Sequence, residues 1–486
     1  MSPLPLLLAG IMGSSTPDYT LTIYSTAEPG SIDTSRLPAY GDALPGYALV
    51  RDERSIPLSR GRQTLRFTDV AARMDPTTVA FVSLTDPAGT RVLEQNYEYD
   101  LVSAGKLLER YLGQRITVLQ TLGEETRRVS GELLSAQGGI TLRLASGEVS
   151  TLADWRAIDY PALPGGLITR PTLVWLLDAA REGEHRVRVA YQAQGLTWWA
   201  DYNIVLDEKD GCRMDLGAWV TVVNQSGGSF PNARLKLVAG EPNRARPAAP
   251  KFATREMMVA ASAPQDGFEQ SELFEYHLYT LGRRTDLPQN STKQLELFPS
   301  VAGAACRKQL VFTAAPEVRV FYGPNTDQGF AATERGQVSA FVEFENREDN
   351  RLGMPLPAGR VRVNQLARDG GLEFIGEDLI RHTPRNERVT LRLGTAFDIV
   401  GERRQTDFRI DHKARWMEES FEIEVRNRKR EAVRVTVREY LYRWSGWKIL
   451  EASHRHERRD AQTLDFPVEL PADGTATVRY RVRYDW

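Results

Sequence analysis

The sequence predicts a mainly β, multidomain protein: immunoglobulin-like β-sandwiches carrying a small SH3/Sm-like barrel insertion. Three observations predict it. Between His185 and Gly240, the runs His185-Arg-Val-Arg-Val-Ala-Tyr191, Trp198-Trp199-Ala-Asp-Tyr202-Asn-Ile-Val-Leu206, Leu216-Gly-Ala-Trp219-Val-Thr-Val-Val223 and Ala233-Arg-Leu-Lys-Leu-Val238 alternate apolar and polar residues, with breaks at Gly195 and Asp210-Gly211. Period two with β-branched and aromatic side chains is the pattern of antiparallel strands with one buried face. No long amphipathic helix is visible, which disfavours an α/β core. At 486 residues the chain exceeds what one core supports, so two to four domains are expected.

Taken in order, residues 16–112 form an N-terminal β-sandwich. Its strands are Tyr19–Tyr24, Tyr47–Arg51, Gln63–Phe67, Val79–Leu84 and Val92–Tyr99. A short helix follows over Ser103–Leu112, with Ser103 as N-cap and Gly113 at its end. Residues 113–160 change rhythm: Gly113–Leu119, Val129–Leu134 and Ile140–Leu144 are short strands, and Gly138-Gly139 turns the chain. This is the expected barrel insertion. Such barrels bind RNA or peptide, but no basic, aromatic-interleaved face stands out and a spacer role is favoured. Residues 161–307 form a central β domain with a mobile linker at 241–270, rich in proline and small residues. Phe274–Leu281 and Lys293–Phe298 are expected to pair as a hairpin across Asp286–Asn290. Residues 308–486 form a C-terminal immunoglobulin-like sandwich. In its last strand Val478, Tyr480, Val482 and Tyr484 share one face, while Arg479, Arg481 and Arg483 on the other are expected to pair with carboxylates such as Glu422 and Glu424.

Composition bounds the partners. A formal net charge of −2 gives no reason to expect nucleic-acid binding. No apolar run approaches the ~20 residues of a membrane helix. The apolar run from Pro3 to Met12, followed by Gly13-Ser14-Ser15, resembles the tail of a secretory signal peptide without its basic start, and points to export; no cysteine sits there for lipidation. Cys212 and Cys306 are the only cysteines. Sequence leaves open whether they pair, and their number and spacing make no metal site.

Several phrases together resemble the bacterial domain-of-unknown-function 4139 family, related in its core to mucoidy-inhibitor-A-like proteins. They are Tyr191, Gly195, Trp198 and Tyr202; Asn224-Gln-Ser-Gly227 with Ala233–Gly240; and Tyr276-His277-Leu-Tyr279. Leu352–Gly359, Phe374–Asp378 with His382-Thr-Pro384, and Gly394–Asp398 continue the pattern, which spans roughly 45–486. The resemblance implies a β-rich exported protein and brings no catalytic residue or ligand. Physically, Pro355-Leu-Pro-Ala-Gly359 is expected to turn between strands with Gly359 at positive φ, and Asn224–Gly228 is a second turn.

Candidate chemistry is sparse. His454 and His456 share a strand face, yet Arg455, Arg458 and Arg459 oppose a cation and no third ligand is signalled. Glu377-Asp378 before His382 is the most suggestive acidic cluster, and a charged loop capping strands accounts for it. No zinc-protease, P-loop, nucleophile-elbow or dinucleotide motif is present. No catalytic, cofactor-binding or metal-binding residue is therefore expected. The tryptophans carry more. Trp198 and Trp199 point to opposite strand faces, one core and one exposed or at an interface, and Trp444-Ser-Gly-Trp447 sits on a turn where aromatics stack on sugars or fill a partner's pocket.

The expected function is non-catalytic: a periplasmic or extracellular envelope protein working through protein contact, including self-association at sheet edges. Carbohydrate binding is the first alternative. A polysaccharide or peptidoglycan hydrolase is the second, and would need a deep cleft with two carboxylates about 5–10 Å apart.

Overall fold

The structure is a computed structural model that describes residues 16–486 apart from 26, 29, 123–124, 208–211, 241, 243–267, 314–321, 331 and 368. The apolar N-terminal run, the Asp210-Gly211 break and most of the 241–270 linker fall outside the described residues. The end of that linker, Phe268–Gln270, is strand rather than linker.

The N-terminal part comprises β1 (Asp18–Tyr24), α1 (Leu37–Tyr40), β2 (Tyr47–Leu58), β3 (Gly61–Thr68), β4 (Met74–Ser83) and β5 (Thr90–Glu98). Next come α2 (Ala104–Arg110), β6 (Arg115–Leu122), β7 (Glu125–Ser135), β8 (Ile140–Leu144), β9 (Val149–Leu152), β10 (Ala157–Asp159), β11 (Thr172–Ala179) and β12 (Gly183–Gln194). The Ser103 hydroxyl caps α2 by accepting from the Lys106 amide at 3.3 Å. On β12, Val187, Val189, Tyr191 and Ala193 are buried by strict alternation. They pack in one core with Phe67, Leu173 and Trp175 of the small sheet β3-β11-β5.

Although 73 residues, 99–171, separate them, β5 and β11 pair antiparallel, so β6–β10 form a unit set between two neighbouring strands. That unit is a sheet in the order β10-β6-β7-β8-β9 around Ile116, Val118, Leu133 and Leu142. It corrects the expected barrel: among the described residues β9 and β10 do not pair, and the ring stays open. Its end strands, of four and three residues, pair among the described residues with β8 and β6 alone.

The remaining strands are β13 (Leu196–Asp207), β14 (Arg213–Asn224), β15 (Phe230–Ala239), β16 (Phe268–Leu273), β17 (Tyr276–Leu281), β18 (Thr285–Leu287), β19 (Ser291–Ala305) and β20 (Arg307–Thr313). They continue with β21 (Thr333–Glu345), β22 (Gly359–Leu366), β23 (Leu372–Ile380), β24 (Arg388–Asp411) and β25 (Trp416–Asn427). The chain ends with β26 (Val433–Tyr440), β27 (Trp447–Ala452), β28 (Glu457–Arg458), β29 (Thr463–Leu470) and β30 (Thr475–Asp485). One sheet runs β16-β17-β15-β1-β2-β12-β4, a central sheet runs β19-β14-β13-β22-β23, and a C-terminal sheet runs β27-β30-β25-β24-β21-β20-β26-β29-β28. The C-terminal sheet folds over its own core, so that Val435, Val437 and Phe466 meet Ile423, Val478 and Tyr480.

The expected hairpin between Phe274–Leu281 and Lys293–Phe298 does not form. β17 pairs with β15 and β16, whereas β19 pairs with β14 in the central sheet. The chain changes sheets at Leu287-Pro288, and a buried side chain fixes the place. Asn224, at the end of β14, donates from Nδ2 to the carbonyls of Gly228, Leu287 and Pro288.

The same device recurs twice. Nδ2 of Asn346 donates to the Met354 and Pro384 carbonyls, and Nδ2 of Asn427 to those of Glu431 and Pro471. All three asparagines are fully buried at the ends of β14, β21 and β25. Each proline begins a turn whose third residue, Asn290, Asn386 or Asp473, has positive φ. The strand that follows each turn (β19, β24, β30) pairs antiparallel with the strand bearing the asparagine. Three sandwich-like units are thus built on one plan, and neighbouring units share sheets: β22 and β23 lie beside β13, across residue 307.

Gly359 corrects a second expectation. It needs no positive φ; it lies in β22, where a Cβ would come within 2.3 Å of the Ala200 carbonyl oxygen. That close approach accompanies the parallel β13–β22 pairing. Cys212 and Cys306 form a disulfide across the β14–β19 pair, with Cα atoms 5.0 Å apart, settling what sequence left open.

Candidate functional site

Alternation gives the central sheet a buried face and a solvent face. On β13, Trp198, Ala200, Tyr202 and Ile204 are buried, so Trp199, Asp201, Asn203 and Val205 point outward. Register then selects their neighbours. Trp199 lies opposite Thr221, Asp201 opposite Trp219, and Thr221 opposite Gln294 of β19. In the parallel direction Asp201 aligns with Arg360 and Asn203 with Arg362, and these align with Leu379 and Glu377 of β23. Beyond a bulge at Ile375, Asn364 meets Phe374 and Leu366 meets Leu372.

The outer face thus carries two tryptophans, two arginines and several carboxylate and amide groups, ending in an apolar corner. Leu366, Leu372 and Phe374 are exposed there, the last at 62%.

At one end, residues 27, 28 and 30–34 form a rim over this face and leave an open cleft of about 460 Å³. Trp199, Asp201, Thr221, Gln294, Arg360 and Arg362 line its floor. The Trp199 Nε1 donates to Asp201 Oδ2 at 2.8 Å, and Thr221 Oγ1 donates to the same oxygen at 3.1 Å. The other carboxylate oxygen is 3.7 Å from Arg362, whose Nε lies 3.6 Å from Glu377. Arg360 reaches the Gly30 carbonyl at 3.4 Å. The indole is therefore held in place, while the two guanidinium groups are only loosely engaged.

The four tryptophans singled out by sequence divide. Trp199 lines the cleft. Trp198 is 2% exposed and packs edge-on against Tyr279 at 6.4 Å, so a partner cannot reach it and it is corrected to a core residue. Trp444 packs against the C-terminal core. Trp447 donates from Nε1 to the Ala461 carbonyl at 2.8 Å, and the Arg458 guanidinium lies 4.5 Å from its ring centre. Those two close the end of the sandwich. Trp219 was not singled out; its parity with Thr221 and its place opposite Asp201 were the available signals.

The Glu377, Asp378 and His382 cluster does not converge. Asp378 Oδ2 accepts from the Arg392 amide at 2.7 Å, His382 Nδ1 accepts from the Ala358 amide at 3.0 Å, and Glu377 faces Arg362. The His456 ring lies 5.7 Å from that of Phe466, tilted by 55°, while the His454 ring meets the Ser453 hydroxyl. Among the described residues no three His, Cys, Asp or Glu side chains are grouped to hold a metal ion.

The buried carboxylates lie elsewhere. Burial pushes Asp52 and Glu419 upward against the opposing pull of Arg54 and Arg443, and both sit in packed cores beside those arginines rather than in the cleft. The arginine row of β30 is paired: Arg479 with Glu422, Arg481 with Glu451, and Arg483 with Glu418 and Asp485. Glu424 pairs instead with Arg426. No helix among the described residues is long and apolar enough to cross a membrane.

A family model described as Domain of unknown function (DUF4139) matches residues 187–486, which include the whole cleft floor but not the rim. No curated protein and no solved structure matches the chain.

Proposed function

We propose, for a chain that belongs to the DUF4139 family, a non-catalytic role as an exported envelope or extracellular interaction module whose central sheet presents its outer face to a protein partner, a second copy of the chain included. The exposed apolar corner formed by Leu366, Leu372 and Phe374 carries this reading. Cross-strand apolar contacts on the open side of a sheet gain little in an isolated chain and much more when another surface covers them. Phe397 of β24, 87% exposed, is a further uncovered aromatic.

The Cys212–Cys306 disulfide supports the compartment, because such bonds persist in oxidising surroundings. The absence of a catalytic role rests on how Asp201 is used: its better-placed oxygen serves the indole and a threonine, a positioning duty.

Light scattering of the full chain over a concentration series tests the association. Self-association that disappears in a Leu372→Asp, Phe374→Asp variant is the expected result. A wild type that remains monomeric, and that also captures no envelope protein through this corner, would remove the proposal.

A further inference from the structure

We infer that the cleft between the rim of residues 27, 28 and 30–34 and the central sheet is a subsite for one neutral sugar ring of an oligosaccharide. Three features of the floor argue for that chemistry. The first is a fixed aromatic plane. Trp199 is half-buried, and its Nε1 bond to Asp201 at 2.8 Å sets the ring's tilt before any ligand arrives. A pyranose offers one face of C–H groups to such a ring and hydroxyls around its edge.

The second feature is the set of polar groups surrounding the ring. Arg360 and Arg362 make contacts of 3.4–3.7 Å, longer than good hydrogen bonds, so exchanging them for hydroxyl groups costs little. Gln294 meets Thr221 Oγ1 at 3.4 Å and is similarly available. Donors and acceptors therefore stand side by side, as vicinal diols require.

The third is charge. The two arginines face Asp201 together with Glu28 and Asp33 of the rim, so neither sign dominates. A phosphate or a polyanion would find carboxylates as well as guanidiniums, and a polycation the reverse. A volume of about 460 Å³ lies within the usual ~300–1,000 Å³ of small-ligand sites, and Asn203 and Trp219 continue the outer face of the sheet beside Asp201.

This proposal is independent of the apolar corner. Its test is calorimetric titration of the full chain with cellohexaose, chitohexaose and maltohexaose, followed in parallel by tryptophan fluorescence. At least one hexaose is expected to bind with a dissociation constant of about 1 mM or tighter. Trp199→Ala should weaken that binding at least tenfold, Trp199→Phe should retain most of it, and Asp201→Asn should weaken it several-fold. Trp447→Ala and the Leu372→Asp, Phe374→Asp variant should bind as wild type. Failure of all three sugars to bind overturns the inference. So does binding that survives Trp199→Ala, or loss that occurs equally with Trp447→Ala. Thermal melting of each variant separates lost binding from lost fold.

Discussion

The Asn427 side chain joins two turns that are far apart in sequence: its Nδ2 donates to the Pro471 carbonyl at 2.9 Å and to that of Glu431 at 2.8 Å, while its Oδ1 accepts from the Lys429 amide at 3.0 Å. Removing it leaves buried backbone groups without partners, each costing about 1–3 kcal/mol. Asn427→Ala is therefore expected to lower the stability of the C-terminal sandwich by about 2–4 kcal/mol, measured by urea unfolding. Asn427→Asp is a sharper probe. A carboxylate cannot donate to the Pro471 carbonyl, so this variant should be less stable at neutral pH than at pH values where the aspartate is protonated.

How much of this was legible in the sequence differs between levels of structure. Strand identity and facing were legible because alternation is a local property: β25 follows it throughout, and β12, β13 and β30 follow it over most of their length. The threefold plan was not. The asparagine and its proline are separated by 64, 38 and 44 residues, so no fixed period marks the repeat. The Phe274–Phe298 segment was misassigned for a related reason. Proximity in sequence suggested a hairpin, but a long-range clamp from Asn224 decided which sheet each half joined. At the site, parity put Trp198 and Trp199 on opposite faces and left open which one faces outward, whereas Arg360 and Arg362 come beside Trp199 through a parallel pairing that no local pattern announces.

Reduction should loosen the central sheet. The disulfide links residues 94 apart, and in the chain-entropy model a loop of this length restrains the unfolded chain by about 4–5 kcal/mol. A Cys212→Ser, Cys306→Ser variant is expected to melt at lower temperature than wild type by calorimetry, and reductant should shift wild type but not the variant. Mass spectrometry of the purified protein, alkylated without reduction, should find no free thiol at either position.

Glu422 gives stability a dependence on pH. The hydrogen bond from Arg479 and the nearby charge of Arg404 hold its carboxyl below the ordinary range. A carboxylate depressed in the folded state stabilises above its unfolded pKa, and that contribution disappears as pH falls through the folded value. The group is exposed, so solvent screens the pair and the effect is small. Glu422→Gln should reduce stability slightly at neutral pH, leave it unchanged in strong acid, and lessen the difference between the two. High salt should narrow the gap between variant and wild type.

Gly359 controls whether the cleft exists. Residues 359–365 align in parallel with 200–206, bringing Arg360 and Arg362 beside Asp201 and Asn203. A methyl group at 359 would lie 2.3 Å from the Ala200 carbonyl oxygen and 2.9 Å from the Tyr202 ring, which is itself fully buried and donates its hydroxyl to Pro357. Backbone cannot yield there as a flexible side chain would, so β22 must move away from β13. Gly359→Ala is expected to cost about 1–3 kcal/mol, the range for overpacking a tight core. It should also increase hydrogen exchange along 200–206 and 359–366 while leaving 433–485 unaffected. Ala358→Gly, next to it but outside the pairing, is the matched control. Equal exchange in both variants would show that the close approach does not set the register.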